Sequence, residues 1–139
     1  MFSGGSWHPL AGVPTGTGIS DVSCATATFC VATGSTQGLP ATSTTLTFDG
    51  TSWGPDVPVP GGQGADYVDC VGPGQCVGVA GYGAVTFGTG TSWTAPAGLD
   101  PSGALYGAGG ATGLSCPTAS FCVVGEPGGV ITGSAPAPA

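Results

Sequence analysis

Apolar residues in this chain come in short runs separated by glycine, proline and threonine, and the runs recur. Residues 44–49, TTLTFD, alternate polar and apolar, the period-two pattern of a half-buried strand. Around them one figure appears three times: ISDVSCATATFCVATG at 19–34, ADYVDCVGPGQCVGVAG at 65–81 and TGLSCPTASFCVVG at 112–125. Each is a short β-branched or apolar run ending in cysteine, five residues, a second cysteine and another apolar run. The pattern predicts strands at 19–24, 29–33, 44–49, 56–60, 66–70, 76–80, 84–88, 113–116, 121–124 and 129–132, and no long helix.

All six cysteines fall into the pairs Cys24/Cys30, Cys70/Cys76 and Cys116/Cys122, and both steps between pairs are 46 residues. A five-residue gap suits a hairpin whose end residues face each other, so we expect the disulfides Cys24–Cys30, Cys70–Cys76 and Cys116–Cys122. Closing so small a loop removes roughly 2 kcal/mol of unfolded-state entropy per bridge in the chain-entropy description. The alternative is metal. Zinc sites, however, usually use cysteines two to four residues apart and gather four ligands at one point. No Cys-x-x-Cys redox motif occurs, and we expect no metal and no cofactor.

Between the cysteine hairpins a second signal returns, Gly-x-Ser-Trp, ending at Trp7, Trp53 and Trp93. A unit therefore reads as strand, cysteine turn, strand, loop, strand, tryptophan turn, outer strand. Four short antiparallel strands in roughly 46 residues is the pattern of a β-propeller blade. The expected fold is all-β, with about three four-stranded, propeller-like blades forming one domain over residues 1–133. The units run over about 19–60, 65–99 and 112–133, with 4–13 supplying the outer strand that the third lacks, and 134–139 form a Pro/Ala tail. The tryptophans are expected between neighbouring blades. Three blades are fewer than a propeller normally closes with, so the partial ring is completed by a second copy, giving a homodimer, or by neighbouring blades of a longer chain, or else the three units form a compact monomer.

The elements Ser23-Cys24, Phe29-Cys30-Val31, Ser115-Cys116 and Phe121-Cys122-Val123, together with Thr47-Phe48-Asp49-Gly50-Thr51-Ser52-Trp53, resemble the tandem repeats of secreted and cell-envelope proteins from high-GC Gram-positive bacteria. Those repeats are similar to other propeller blades. The resemblance spans roughly residues 19–133 and implies fold more than activity. The middle unit departs from it, with Asp69 before Cys70 and Gln75 before Cys76. Asp49-Gly50-x-x-Trp53 departs from the Asp-box of sialidase-like propellers, in which Asp and Gly stand two apart.

Charge narrows the function. The chain has no Lys, no Arg and a formal charge of −7, from Asp21, Asp49, Asp56, Asp66, Asp69, Asp100 and Glu126. It cannot neutralise phosphates, which disfavours nucleic acid and anionic membranes as partners. Sialidase chemistry, which clamps a carboxylate with several arginines, is excluded. No apolar run approaches the ~18 residues of a membrane span. Paired cysteines point to an extracellular or cell-envelope location. No basic and apolar leader is visible at Met1-Phe2-Ser3, so a mature product or a segment of a longer secreted protein is expected.

Candidate chemistry is sparse. Gly50-Thr51-Ser52-Trp53-Gly54 fits the nucleophile pattern Gly-x-Ser-x-Gly, but Ser6 and Ser92 stand in the same repeated turn, and the single histidine is His8. Asp66 and Asp69 could form a carboxylate pair or a weak Ca2+ site, or simply open a solvated strand. Two functions follow. One is a non-enzymatic extracellular module that binds protein or glycan or serves as a scaffold, with loops 35–43 and 94–111 and the residues Tyr106, Trp7, Trp53, Trp93, Asp66 and Asp69 as candidate contacts. The other is a secreted carbohydrate-active hydrolase or lyase that uses Asp66, Asp69 and Glu126, which requires those groups to converge.

Overall fold

A computed structural model describes residues 1–9, 12–61, 65–80, 84–95, 97–98, 110–118, 120–127 and 129–133. Tyr106, most of loop 94–111 and the 134–139 tail lie outside the described residues. All regular elements among them are strands.

The first unit is a four-stranded antiparallel sheet of β3 (Thr17–Thr26), β4 (Phe29–Thr36), β5 (Ser43–Phe48) and β6 (Val57–Pro58), paired in that order. The second repeats it with β7 (Tyr67–Gly72), β8 (Gln75–Val79), β9 (Ala84–Gly88) and β10 (Ala97–Gly98). The third has three described strands, β11 (Gly113–Thr118), β12 (Phe121–Glu126) and β13 (Gly129–Gly133). The alternating and apolar runs of the sequence thus become strands close to where they are expected.

The three disulfides form within their own units, with Cα atoms 3.9, 4.0 and 4.1 Å apart. The five-residue gap has a structural meaning. Facing residues on a hairpin with a two-residue turn enclose an even number of residues, so an odd gap needs one extra. In the first unit Cys24 faces Cys30 and Thr26 faces Phe29, leaving Ala25 as a bulge. The second unit does the same at Val71, between the pairs Cys70–Cys76 and Gly72–Gln75. The third has its irregularity between Ser115 and Thr118. The bulge turns Ala25 and Val71 toward the following unit, where both join its core.

The tryptophan turns share one geometry. Phe48 pairs with Trp53 and Gly88 with Trp93 across tight reversals, and Phe2 pairs with Trp7 in the N-terminal hairpin of β1 (Phe2–Ser3) and β2 (Ser6–Trp7). In the two longer units a positive-φ glycine makes the reversal, Gly50 at φ 98° and Gly90 at φ 93°.

Each sheet has two faces. Partnered residues across the strands share a side, so Cys24, Cys30 and Phe48 mark the front of the first sheet and Ser23, Val31 and Thr47 its back. Likewise Cys70, Cys76 and Gly88 mark the second front, and Asp69, Val77 and Phe87 its back. The sheets stack back to front. Val31 and Val59, with Ala25 and Phe29, pack on Val68, Cys70, Cys76 and Trp93. Val77, Val71 and Phe87 then pack on Cys116, Cys122 and Leu114, and Val79 and Tyr67 on Ala111 and Val124. The core lies between sheets, which explains how so thin a chain buries apolar surface. The described strands form no closed barrel or ring. Residues 6–7 pair with 2–3, so among the described residues the N-terminal segment does not extend the third sheet.

Candidate functional site

The first strand of each unit lies at a sheet edge, with backbone N–H groups that its own sheet leaves free. Side chains of the preceding unit take them. Val68 N–H donates to Asp21 Oδ2 (2.9 Å), Cys70 N–H to Ser23 Oγ (3.0 Å) and Cys116 N–H to Asp69 Oδ2 (2.6 Å), each across 47 residues. Ser23 Oγ–H also donates to Asp69 Oδ1 at 3.0 Å. Asp69 is therefore a part-buried link between all three units and not a solvated strand start. Its departure from the serine at the matching place in the other units is what allows it to bond in both directions. Asp21 does comparable work and was not singled out from the sequence. The signal available there was its place three residues before Cys24, on the same face as Ser23.

The candidate catalytic groups do not assemble around Ser52. The backbone N–H groups of Ser52 and Thr51 donate to Asp49 Oδ1 at 2.9 and 2.8 Å. These bonds, Ser52's the strongest, hold the Asp49 carboxyl below the usual aspartate range. Thr89 takes Asp49's place in the second unit, its Oγ accepting from Ser92 N–H at 3.2 Å. The turn is thus capped by its own first residue. His8 Nε2 lies 3.0 Å from Ser6 Oγ and 3.2 Å from the Ser3 carbonyl. Both contacts lie inside the N-terminal segment, so His8 is engaged with Ser6 and Ser3.

The three tryptophans part company. Trp93 is buried between the first two sheets, and its indole N–H donates to Thr45 Oγ at 2.8 Å. Thr45 Oγ–H in turn donates to the Gly90 carbonyl at 3.1 Å. Trp93 fits there because Gly88 beneath it has no side chain. In the first unit Phe48 stands where Gly88 does, and Trp53 tilts against it with ring centroids 5.5 Å apart. Trp53 and the 81% exposed Trp7 come together instead on the front of the first sheet. They line a groove of about 860 Å3 with Met1, Val13, Val22, Cys24 and Phe48. Among the described residues no charged side chain lines it; the N-terminal ammonium belongs to Met1 and donates to the His8 carbonyl at 2.6 Å.

Asp66 is exposed just before β7 and Glu126 is half-buried at the end of β12, while Asp69 lies nearer the cysteine turns. Among the described residues no three His, Cys, Asp or Glu side chains form a group able to hold a metal ion, and no helix is long and apolar enough to cross a membrane. The three disulfides suit an oxidising environment. Comparison with known proteins returns no matching family model, no matching curated protein and no matching solved structure.

Proposed function

We propose that this chain is an extracellular repeat module of the β-propeller type, related to the cell-envelope repeats its sequence resembles, that binds protein or glycan or scaffolds its neighbours without catalysing a reaction. The observation that carries the reading is the back-to-front stacking of like units through Asp21, Ser23 and Asp69. Repeats that stack in this way build a surface one unit at a time. The stacking also engages Asp69, the central member of the acidic set a hydrolase or lyase would need. The groove on the front of the first sheet is aromatic and lined by no charged side chain among the described residues, which suits stacking on a sugar ring or an apolar side chain better than acid–base chemistry.

The test incubates the disulfide-intact protein with a panel of polysaccharides and follows reducing-end release and unsaturated-sugar absorbance. In parallel, binding to arrayed glycans and to extracellular proteins is measured. Saturable binding without turnover supports a binding module. Turnover that disappears in Asp66→Asn or Glu126→Gln overturns it in favour of the enzyme.

A further inference from the structure

The open front of the first unit carries the same kinds of residue that are covered in the second. Val22 corresponds to Val68, Cys24 to Cys70 and Trp53 to Trp93. Val68 is 4% exposed beneath the back of the first unit, whereas Val22, which no described unit covers, is 53% exposed. At the other end the back of the third unit carries the residues that do the covering. Phe121, Val123 and Ser115 correspond to Phe29, Val31 and Ser23, and Phe121 is 44% exposed.

We infer that the groove on the front of the first unit seats the back of the third unit of a second copy of this chain, joined head to tail. The junction would repeat the one between the first two units, with Phe121 and Val123 packing on Val22 and Cys24. The polar matching agrees. Ser115 is exposed and stands where Ser23 accepts the Cys70 N–H, so it can accept from Cys24 N–H of the other copy. Gly113 stands at Asp21's place and offers no acceptor, but Val22 N–H is already satisfied by Asp21 Oδ1 at 2.9 Å within its own strand. The N-terminal hairpin, which repeats the tryptophan turn of a complete unit, forms the other wall of the groove. The three described strands of the third unit would thus meet a tryptophan turn at the seat. Unlike faces joined head to tail close into rings when the rotation permits and otherwise extend as open filaments. The inference rests on the reading of the chain as a stacking repeat module.

The test is sedimentation equilibrium of the intact, disulfide-bonded protein over a wide concentration range. Val22→Asp alters the front, Phe121→Asp the back, and a complete disulfide map with native circular dichroism shows that each variant folds. The intact chain is expected to self-associate. Each variant should weaken association by about tenfold or more, because it places a carboxylate in an apolar contact. A mixture of the two variants should associate more tightly than either alone, since it restores one unmodified junction. A monomeric intact chain overturns the inference, as does association indifferent to Phe121→Asp, which would place the contact front to front. So does a monomer that saturably binds an apolar dye in the groove. Glycan and protein binding by the monomeric variants tests the module reading separately.

Discussion

Ser23 donates a hydrogen bond to Asp69 at 3.0 Å across 46 residues of chain, joining matching places in two successive units. Asp69 also accepts from Cys116 N–H in the third unit. Removing the carboxylate leaves two part-buried donors without their acceptor. Asp69→Ala is therefore expected to destabilise the protein by about 1–3 kcal/mol. Asp69→Ser, which restores the residue found at the matching place in the other units, should recover part of that. Urea unfolding of the disulfide-intact protein measures both, and a change within about 0.5 kcal/mol for the alanine variant would show that the link is not stabilising.

Gly90 sets the limit on packing at the first junction. Its φ is 93°, and an added Cβ would meet Val31 Cγ2 at 2.9 Å and Thr47 Oγ1 at 2.8 Å. Gly90→Ala is expected to cost about 1–3 kcal/mol from backbone strain and crowding together. Gly38, in an exposed loop with nothing within 4 Å of an added Cβ, should tolerate alanine with little change. The paired melting temperatures check this, and equal losses at both sites would mean that neither strain nor crowding operates at Gly90.

The repeating parts of the fold were legible because each is fixed locally. The Cys-x5-Cys spacing places a facing pair, and the Thr44–Phe48 alternation marks a strand. The expected half-burial does not hold: Thr44 and Thr45 are as buried as Leu46 and Phe48, Thr45 because the second sheet packs over it through Trp93. What could not be read was which copy of a repeated residue is covered. Trp53 and Trp93 sit in the same turn, yet one lines an open groove and the other is buried over Gly88. That difference depends on a neighbouring unit and not on the turn itself. The linking role of Asp69 is hidden for the same reason. Its donors come from 46 and 47 residues away, and neither is visible in the sequence around it.

Asp49 gives a pH prediction. Its carboxyl is held below the usual aspartate range by the Ser52 and Thr51 N–H groups, so the folded state favours the ionised form. The cap's contribution is present above the unfolded aspartate value and is lost as pH falls through the lower folded value. Carboxyl NMR should place the Asp49 midpoint below that of an aspartate in a flexible peptide. Asp49→Asn should remove the part of the acid sensitivity that arises in this turn. A midpoint at or above the peptide value would mean that the backbone bonds do not persist in solution.

The open front also predicts an order of disulfide reduction. Cys24 is exposed on the first sheet although its partner Cys30 is buried, whereas both members of the other two bridges, Cys70, Cys76, Cys116 and Cys122, are buried at the junctions between units. Thiol–disulfide exchange requires a thiolate to reach one sulfur, so access governs the rate when the bridges are otherwise alike. All three bridges close the same six-residue separation. Under native conditions with limiting reductant, Cys24–Cys30 should open first. Alkylation and peptide mapping with a non-tryptic protease should then find label at Cys24 and Cys30 while the other four remain paired. The singly reduced protein should lose roughly 2 kcal/mol of stability in the chain-entropy description and keep its remaining two bridges. If a second copy seats on the front, raising the protein concentration should slow this first reduction and leave the later ones unchanged. Equal rates at all three bridges would mean that the junctions open as readily as the exposed face, and the stacked core would then be much looser than its packing indicates.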